Sequence, residues 1–298
     1  MEKVLEINNL TKKFGKLTAV NDLSFSVEKG NVYGLLGPNG SGKSTTLGMI
    51  LNVVNPTQGN WKWFGEEHST QSLKKVGAII ERPNFYPYLS AEKNLEIVAE
   101  IKGADYAKIE EKLAIVGLLE RKNDKFSSFS LGMKQRLAIA GAMLNDPHVL
   151  ILDEPTNGLD PQGIIKIREI ILDIASKGTT IILASHLLGE VEKVCSHVVI
   201  LEKGKTLYSG SVDEMTASFG YFEISSQQLD LMINALESMP YFERISANGT
   251  QLKAILNQDL SAESLNKLLF EKGIILNHLV KRKESLEQQF LQITQNHN

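Results

Sequence analysis

Short apolar runs alternate with turn residues along about the first 80 residues, and this pattern predicts strands rather than long helices. The runs lie at residues 4–7, 25–27, 32–36 and 60–64. In the last run Trp61 and Trp63 are two positions apart, so both side chains face the same side of a strand. We expect these tryptophans to be half-buried core residues.

A helical pattern replaces the strand pattern after two prolines, at positions 83 and 87. Ser90 is suited to cap the first helix, and the apolar spacing up to about residue 145 predicts further helices. Strand-like runs return at residues 149–152, 180–184 and 198–201, with a helical stretch at 164–176 between the first two. Strands that alternate with helices predict a largely parallel sheet.

The pattern changes again after Ser209 and Gly210. Its predicted elements, in order, are a strand at 221–225, a helix at 227–238, a strand at 241–246, an Asn248-Gly249 turn, a strand at 250–256, a helix at 261–272 and a strand at 274–280. This order matches the split βαβ, ferredoxin-like arrangement. A last helix begins at Ser285, with Gln288 in the capping-box position. Dimer support, effector binding and simple stabilisation are all open as roles for this region.

Residues 37–46 match the phosphate-binding pattern G-x-x-x-x-G-K-[ST]. They are Gly37, Pro38, Asn39, Gly40, Ser41, Gly42, Lys43, Ser44, Thr45 and Thr46. The predicted strand at 32–36 precedes this loop, and apolar residues at helical spacing follow it. A glycine-rich turn before an ordinary helix is the alternative, and the presence of both flanking elements disfavours it. Nucleotide binding is therefore the firmest inference from the sequence.

The chemistry of a bound polyphosphate accounts for the residue types in this loop. Glycines let the backbone come close and turn successive N–H groups inward, and the helix N-terminus adds its positive end. Lys43 is placed to reach the β and γ phosphates. The Ser44 hydroxyl is placed to ligate the accompanying Mg²⁺.

Two adjacent carboxylates, Asp153 and Glu154, follow the apolar run at 149–152. In parallel sheets that bind nucleotides, the carboxyl ends of the strands face the ligand. Neighbouring strand residues point to opposite sides, so the two carboxylates should have different tasks. Asp153 suits Mg²⁺, and Glu154 suits the polarisation of the attacking water. A solvated pair in a turn is the alternative, which the upstream phosphate loop disfavours.

Ser130 and Gly132 lie at the predicted start of another helix, whose apolar stripe runs through Met133 and Leu137. Free N–H groups and the helix dipole make such a start able to bind a phosphate. Taken alone, this segment is more often only a capped helix.

Composition limits the classes of function. The chain has 298 residues, enough for about two domains, and is 42% hydrophobic. Its net charge of −3 gives no reason to expect nucleic acid. The single Cys195 excludes an intrachain disulfide and suits a reducing compartment. The start does not look like a signal peptide, and no apolar stretch is long enough to span a membrane. In a membrane process, another chain would therefore cross the bilayer.

The motifs together resemble the ATP-binding cassette (ABC) ATPases over residues 1 to about 215. In the order of that family, they are the phosphate loop, Glu81 in place of the usual glutamine, residues 129–133 in place of LSGGQ, Asp153 with Glu154, the turn at 158–161 and His186. The resemblance implies an α/β, P-loop NTPase fold with a RecA-like core, an antiparallel β subdomain and a helical subdomain at about 82–145. A C-terminal accessory domain would occupy residues 216–298.

This resemblance also implies roles. The family binds two ATP molecules between head-to-tail subunits, so Ser130 and Gly132 would act on the ATP of the partner in a homodimer. Asp160 would couple the two sites, His186 would contact the γ phosphate, and Glu81 would join Ser44 and Asp153 around Mg²⁺. Phe14 resembles the aromatic on which adenine stacks; a buried core Phe is the alternative. His148 and His197 have no matching role, and we expect ordinary surface or packing histidines.

Three features resemble the bacitracin and lantibiotic exporter branch. They are the sequence SLGMKQR at residues 130–136, Glu81 in place of glutamine, and the tail at 285–291. Leu131 and Met133 depart from the common signature, which affects its geometry more than the activity. The branch implies an ATP-hydrolysing subunit on the cytoplasmic side of the membrane, bound to a separate transmembrane permease that exports a peptide antibiotic or drug.

We expect Phe85, Tyr86 and Tyr88 to contact the permease; a loop packed onto its own core is an equal alternative. A soluble ABC ATPase acting on ribosomes or nucleic acid is the competing function. It would usually show paired cassettes, coiled-coil insertions or basic arms, which this chain lacks. A module that holds ATP without splitting it is a third possibility, and Glu154 and His186 argue against it.

Overall fold

The computed structural model describes residues 2–67, 69–80, 83–216, 219–248, 251–283 and 285–295. The chain forms two compact units, Met1–Gly210 and Ser211–Asn298. The division therefore falls slightly before the boundary at 215 that the sequence suggests. The short helix after Gly210 belongs to the second unit because it packs against the last helix of the chain.

The first unit contains both strands and helices. Its strands are β1 (Lys3–Phe14), β2 (Leu17–Glu28), β3 (Val32–Leu36), β4 (Gln58–Trp63), β5 (Glu66–Glu67), β6 (Val76–Ile79), β7 (Val149–Asp153), β8 (Thr180–Ser185), β9 (His197–Glu202) and β10 (Lys205–Ser211). Its helices are α1 (Lys43–Ile50), α2 (Thr70–Leu73), α3 (Ala91–Lys102), α4 (Lys108–Ile115), α5 (Leu131–Ala142), α6 (Pro161–Ser176) and α7 (Leu188–Val194). Within the described ranges, no helix is both long and apolar enough to cross a bilayer.

The central sheet has the strand order β10-β9-β3-β8-β7-β6. Strands β9, β3, β8, β7 and β6 pair in parallel, which confirms the largely parallel sheet. Every residue of β3, β7 and β8 is buried, as expected for strands covered on both faces. Because β3, β8 and β7 are neighbours and run the same way, the segments that follow them emerge at one edge of the sheet.

A second sheet has the order β2-β1-β4-β5, with antiparallel pairing throughout. Its β1 and β2 are much longer than the apolar runs that revealed them, because one face of an antiparallel sheet can carry polar residues. Trp61 and Trp63 are fully buried, so the expectation of half-burial was wrong. Trp63 satisfies its indole by donating to the Ile50 carbonyl at 2.9 Å. This sheet and the central sheet share one core, which includes Leu47 and Met49 of α1.

Capping side chains mark the starts of α3 and α6. Ser90 caps α3 by accepting from the Lys93 amide at 3.2 Å, as expected. Helix α6 begins at Pro161, three residues before the predicted helix, because Asp160 caps it and proline is favoured in the first turn.

At the end of α3, burial lowers the pKa of Lys102 to about 8. The Lys102 ammonium donates to the Gly141 carbonyl at 2.9 Å, which joins α3 to the end of α5.

The second unit has the predicted ferredoxin-like order of elements. These are α8 (Val212–Thr216), β11 (Tyr221–Ser226), α9 (Leu229–Glu237), β12 (Phe242–Asn248), β13 (Gln251–Leu256), α10 (Ala262–Glu271), β14 (Leu276–Arg282) and α11 (Leu286–Gln295). The antiparallel sheet has the order β12-β13-β11-β14. Gly249, the second residue of the predicted Asn248-Gly249 turn, lies outside the described residues. The capping box is confirmed, because Ser285 and Gln288 bond to each other's backbone N–H.

Substitution of Phe222 tests how far the second unit depends on its hydrophobic core. Its side chain is 0% exposed among the apolar residues of α9, α10 and the sheet, whereas Phe270 is 70% exposed. We expect Phe222→Ala to lower the free energy of unfolding of this unit by about 3–5 kcal/mol, through lost burial and a cavity. Hydrogen exchange of the β11 and β13 amides measures the change. Phe270→Ala is the matched control, and an equal loss in both variants would contradict this core.

Candidate functional site

The phosphate loop leaves β3 and enters α1 through glycines with positive φ. Gly37 has φ 149°, Gly40 has φ 80° and Gly42 has φ 106°. A Cβ on Gly37 would lie 2.2 Å from the Leu201 carbonyl oxygen, and one on Gly42 would lie 2.7 Å from the Ala19 carbonyl oxygen. Backbone atoms cannot yield as a flexible side chain can, so these two positions require glycine for space as well as for conformation.

Lys43 folds back onto the loop that precedes it. Its Nζ donates to the Gly37 carbonyl at 2.7 Å and to the Pro38 carbonyl at 3.3 Å. Burial lowers the pKa of the ammonium, and the negative charges of Glu154 and Asp153 oppose that shift. The backbone carbonyls of the loop therefore hold the Lys43 ammonium in place, and the carboxylates of Asp153 and Glu154 are close enough to oppose the lowering of its pKa.

The hydroxyl groups of the loop fall into two groups. Among the described residues, the buried side-chain oxygens of Ser41 and Thr46 lack a hydrogen-bond partner. Ser44 is exposed and Thr45 is half-buried, and both face the adjacent cavity. A buried hydroxyl without a partner is costly and calls for an explanation such as an absent ligand. Together with the glycine backbone and Lys43, these groups fit a bound polyphosphate.

A cavity of about 530 Å³ lies beside the loop. Its lining residues are Phe14, Leu17, Thr18, Ala19, Asn39, Gly40, Gly42, Lys43, Ser44, Thr45, Glu154 and Lys203. Phe14 is 50% exposed, so it is not the buried core residue of the alternative interpretation. The Lys12 ammonium lies 4.8 Å from the centre of the Phe14 ring. The cavity thus brings together an exposed aromatic ring, the phosphate loop and a carboxylate.

Asp153 and Glu154 occupy different environments. Asp153 is the buried last residue of β7. Glu154 lies beyond the strand with φ 49°, and its amide donates to the Ala184 carbonyl at 2.9 Å. Glu154 therefore follows the strand in a left-handed backbone conformation, so the simple alternation of strand side chains on which the sequence argument relied does not extend to it.

His186 follows β8 directly, next to the end of β7 in the parallel sheet. Its Nδ1 lies 2.8 Å from the Glu154 Oε2, within hydrogen-bond distance. The imidazole is 44% exposed, and the Glu154 side chain is 23% exposed. His186 can therefore orient the Glu154 carboxylate at the cavity, and both side chains remain accessible to solvent or to another molecule.

Ser130, Gly132 and Asp160 do not line this cavity among the residues described. Ser130 caps α5 by accepting from the Met133 amide at 3.3 Å. Asp160 caps α6 by accepting from the Gly163 amide at 3.1 Å. A Cβ on Gly158 would lie 3.3 Å from Cδ2 of Leu131, so the starts of α5 and α6 lie side by side. We call Ser130, Leu131, Gly132, Gly158 and Asp160 the signature surface.

Metal ligands can be placed only in part. Glu81 lies outside the described residues. Where the structure describes the chain, it contains no group of three or more His, Cys, Asp or Glu residues arranged to hold a metal. Ser44 and Asp153 fit Mg²⁺ nevertheless, because this ion commonly takes one or two protein oxygens and fills its shell with water and substrate phosphates.

His148 and His197, which have no role in the sequence motifs, both pack against aromatic rings. His197 stacks on Tyr33 with ring centres 4.8 Å apart, and His148 meets Phe64 edge-on at 5.8 Å.

Lys203 is a cavity residue that the sequence motifs did not reveal. It lies in the turn between β9 and β10, far along the chain from the phosphate loop. One sequence feature could have drawn attention to Lys203. This lysine precedes Gly204 in a two-residue hairpin turn, at the position where such turns favour Asn or Asp. Thr18 and Ala19 of β2 also line the cavity without belonging to a motif.

The ABC transporter family profile matches residues 20–157. The bacitracin transport ATP-binding protein of Enterococcus faecalis is 36% identical, and the match covers 97% of this chain and 96% of that protein. The lantibiotic transport ATP-binding protein of Streptococcus pyogenes is 43% identical over 210 residues, which are 70% of this chain and 92% of that protein. The linearmycin resistance ATP-binding protein of Bacillus subtilis is 32% identical, with 98% of each chain covered.

Solved structures show the same fold. An ATP-binding subunit of an ABC transporter superposes with a TM-score of 0.65 at 31% identity, covering 72% of this chain and 93% of that chain. A dimeric ATP-binding cassette in a post-hydrolysis state, bound to ADP and Pi, superposes with a TM-score of 0.61 at 26% identity. That match covers 70% of this chain and 98% of the other.

Gly37→Ala tests the close backbone approach in the loop. We expect nucleotide affinity to fall by about tenfold or more, because the added Cβ would displace either the loop or the Leu201 carbonyl. Isothermal titration with ATP measures the loss. Gly103→Ala is the control, since Gly103 also has a positive φ, of 63°, but has open space around its Cβ position. Unchanged ATP binding by Gly37→Ala would contradict the inference that Gly37 is required for the close backbone approach in the phosphate loop.

Proposed function

The chain belongs to the ATP-binding subunits of ABC transporters, and from this premise we propose that it hydrolyses ATP to drive export of a peptide antibiotic or drug through a separate permease. The observation that carries the proposal is the cavity that unites Phe14, Lys43 and Glu154. Two relatives that are similar along nearly the whole chain are named for bacitracin transport and for linearmycin resistance, and these names support an exporter. A soluble ATPase on ribosomes or nucleic acid has less support, because neither these relatives nor the net charge of −3 favours it.

We assign tasks in nucleotide binding and hydrolysis to Phe14, Lys43, Glu154 and His186. The exposed ring of Phe14 offers a face on which adenine stacks. Backbone N–H groups of the phosphate loop and the Lys43 ammonium bind the β and γ phosphates and neutralise their charge. Glu154 lines the same cavity and orients the attacking water by accepting its proton. His186 holds Glu154 through the 2.8 Å contact and is exposed enough to reach the γ phosphate.

Mg²⁺ would be held by Ser44 and Asp153, with Glu81 as a further ligand from the sequence. When bound, it neutralises charge on the phosphate oxygens. Asp153 suits this task because it is buried at the end of β7, where its carboxylate is oriented by the strand.

We assign the signature surface to the partner's nucleotide in a head-to-tail homodimer. Two observations support this. The surface does not belong to the cavity of its own chain where the structure describes it, and Leu131 at its centre is 45% exposed. The first amides of α5 and the Ser130 hydroxyl would contact the partner's γ phosphate. Asp160, adjacent on α6, would transmit closure between the two sites.

The permease would dock on the helical region at about 82–145, on the cytoplasmic side of the membrane. Tyr86 and Tyr88 are 50% and 65% exposed. Buried Asn94 holds the Tyr86 backbone through bonds of 2.8 and 3.1 Å. Phe85 instead packs onto Phe126, with ring centres 5.3 Å apart. The two tyrosines are therefore the docking residues, and Phe85 anchors the loop to its own core. Residues 216–298 serve as an accessory domain.

Glu154→Gln tests the role of the carboxylate. We expect normal ATP binding and a loss of about a thousandfold in turnover, roughly 4 kcal/mol of barrier, because an amide cannot accept the proton of water. Phosphate release under saturating ATP measures the rate. Glu169→Gln, an exposed residue on α6, is the matched control. Near-normal hydrolysis by Glu154→Gln would remove this residue from the mechanism.

Lys43→Ala tests the link between nucleotide and dimer. We expect wild-type protein to dimerise with ATP when Mg²⁺ is chelated, and the variant to stay monomeric because it loses the phosphate contact. Light scattering after size-exclusion chromatography measures the mass. Lys62→Ala, on the exposed side of β4, should behave as wild type. ATP-saturated wild-type protein that remains monomeric would contradict the shared site.

A further inference from the structure

The turn that joins β9 to β10 is fastened to the back of the phosphate loop. The Gly204 amide donates to the Ser41 carbonyl at 3.1 Å, and the Asn21 amide donates to the Gly204 carbonyl at 2.8 Å. A Cβ on Gly204 would lie 2.8 Å from the Ala19 carbonyl oxygen. The turn therefore has a fixed position between β2 and the loop, and whatever it carries is presented to the cavity in a defined way.

Lys203 occupies the first position of this turn with φ 48°, followed by Gly204 with φ 80°. Two consecutive positive φ values are the conformation that hairpin turns normally assign to Asn-Gly or Asp-Gly. A long side chain is unfavourable there, and strained residues concentrate at functional sites. Lys203 also lines the same cavity as Phe14 and Lys43.

The two lysines reach the cavity from different elements, Lys43 from the phosphate loop and Lys203 from the turn between β9 and β10. Lys43 is bonded to the carbonyls of Gly37 and Pro38, where the loop begins. The turn of Lys203 instead lies beside Gly42, where the loop ends; a Cβ on Gly42 would be 3.6 Å from Cα of Gly204. A nucleotide whose base stacks on Phe14 and whose γ phosphate lies near Lys43 would place its α phosphate between that ring and that ammonium, in the cavity that Lys203 also lines.

We propose that Lys203 binds the α phosphate of the nucleotide and is the second lysine of the site. This assignment rests on the proposed ATP site. It adds a contact that ATP, ADP and AMP share, whereas Lys43 contacts the phosphates that AMP lacks. A lysine here raises affinity for the whole adenine nucleotide series without taking part in the cleavage of the γ phosphate.

Lys203→Asn is the test variant, because asparagine tolerates the left-handed conformation and removes the charge. We expect the affinities for ATP, ADP and AMP each to fall by about tenfold, equivalent to ~1.4 kcal/mol. The KM for ATP should rise by the same factor, while kcat at saturating ATP stays within about twofold. Lys203→Arg should retain most of the affinity. Thermal melting without nucleotide checks that the variant keeps the stability of the wild type.

Lys205→Ala is the control, since Lys205 is an exposed lysine two positions along the same hairpin and does not line the cavity. It should bind all three nucleotides as wild type does. Wild-type affinity of Lys203→Asn for ADP and AMP would overturn the assignment, and so would a loss confined to ATP. Wild-type protein that binds no nucleotide would overturn the ATP site itself, and this contact with it.

Discussion

Hydrogen bonds between the parallel strands β3, β8 and β7 hold their carboxyl ends at one edge of the central sheet. The phosphate loop follows the first strand, His186 the second, and Glu154 the third. A shift of one residue in either pairing would carry these groups apart and turn buried side chains toward the wrong face. The complete burial of all three strands makes such a shift costly, so the core that stabilises the fold also sets the distances of the site.

Local backbone geometry then completes what the sheet begins. Glu154 and Lys203 both have positive φ, and each reaches the cavity from a position just past a strand end. Gly37 and Gly42 serve the opposite purpose, because they let the backbone pass where no side chain would fit. The cavity is therefore built by backbone conformations that most residues avoid, supported by rigid strands on either side.

In the homodimer that we propose, the signature surface of one chain would complete the nucleotide site of the other. Phe14, Lys43 and Glu154 meet in one cavity, whereas Ser130 and Asp160 lie on the signature surface. Each of the latter also caps a helix in its own chain. In the proposed homodimer, one side chain would stabilise its own subunit while the amides that follow it would be available to the nucleotide of the partner.

The sequence by itself determined the features that depend on neighbouring residues. The phosphate loop, the caps at Ser90 and Ser130, the parallel sheet and the ferredoxin-like order all follow from spacing within short segments, where backbone preference and hydrophobic period act directly. Only the tertiary structure decided the contact of His186 with Glu154, the exposure of Phe14 and the arrival of Lys203 at the cavity. Those depend on strand order and on the packing of segments far apart in the chain, which no local pattern encodes.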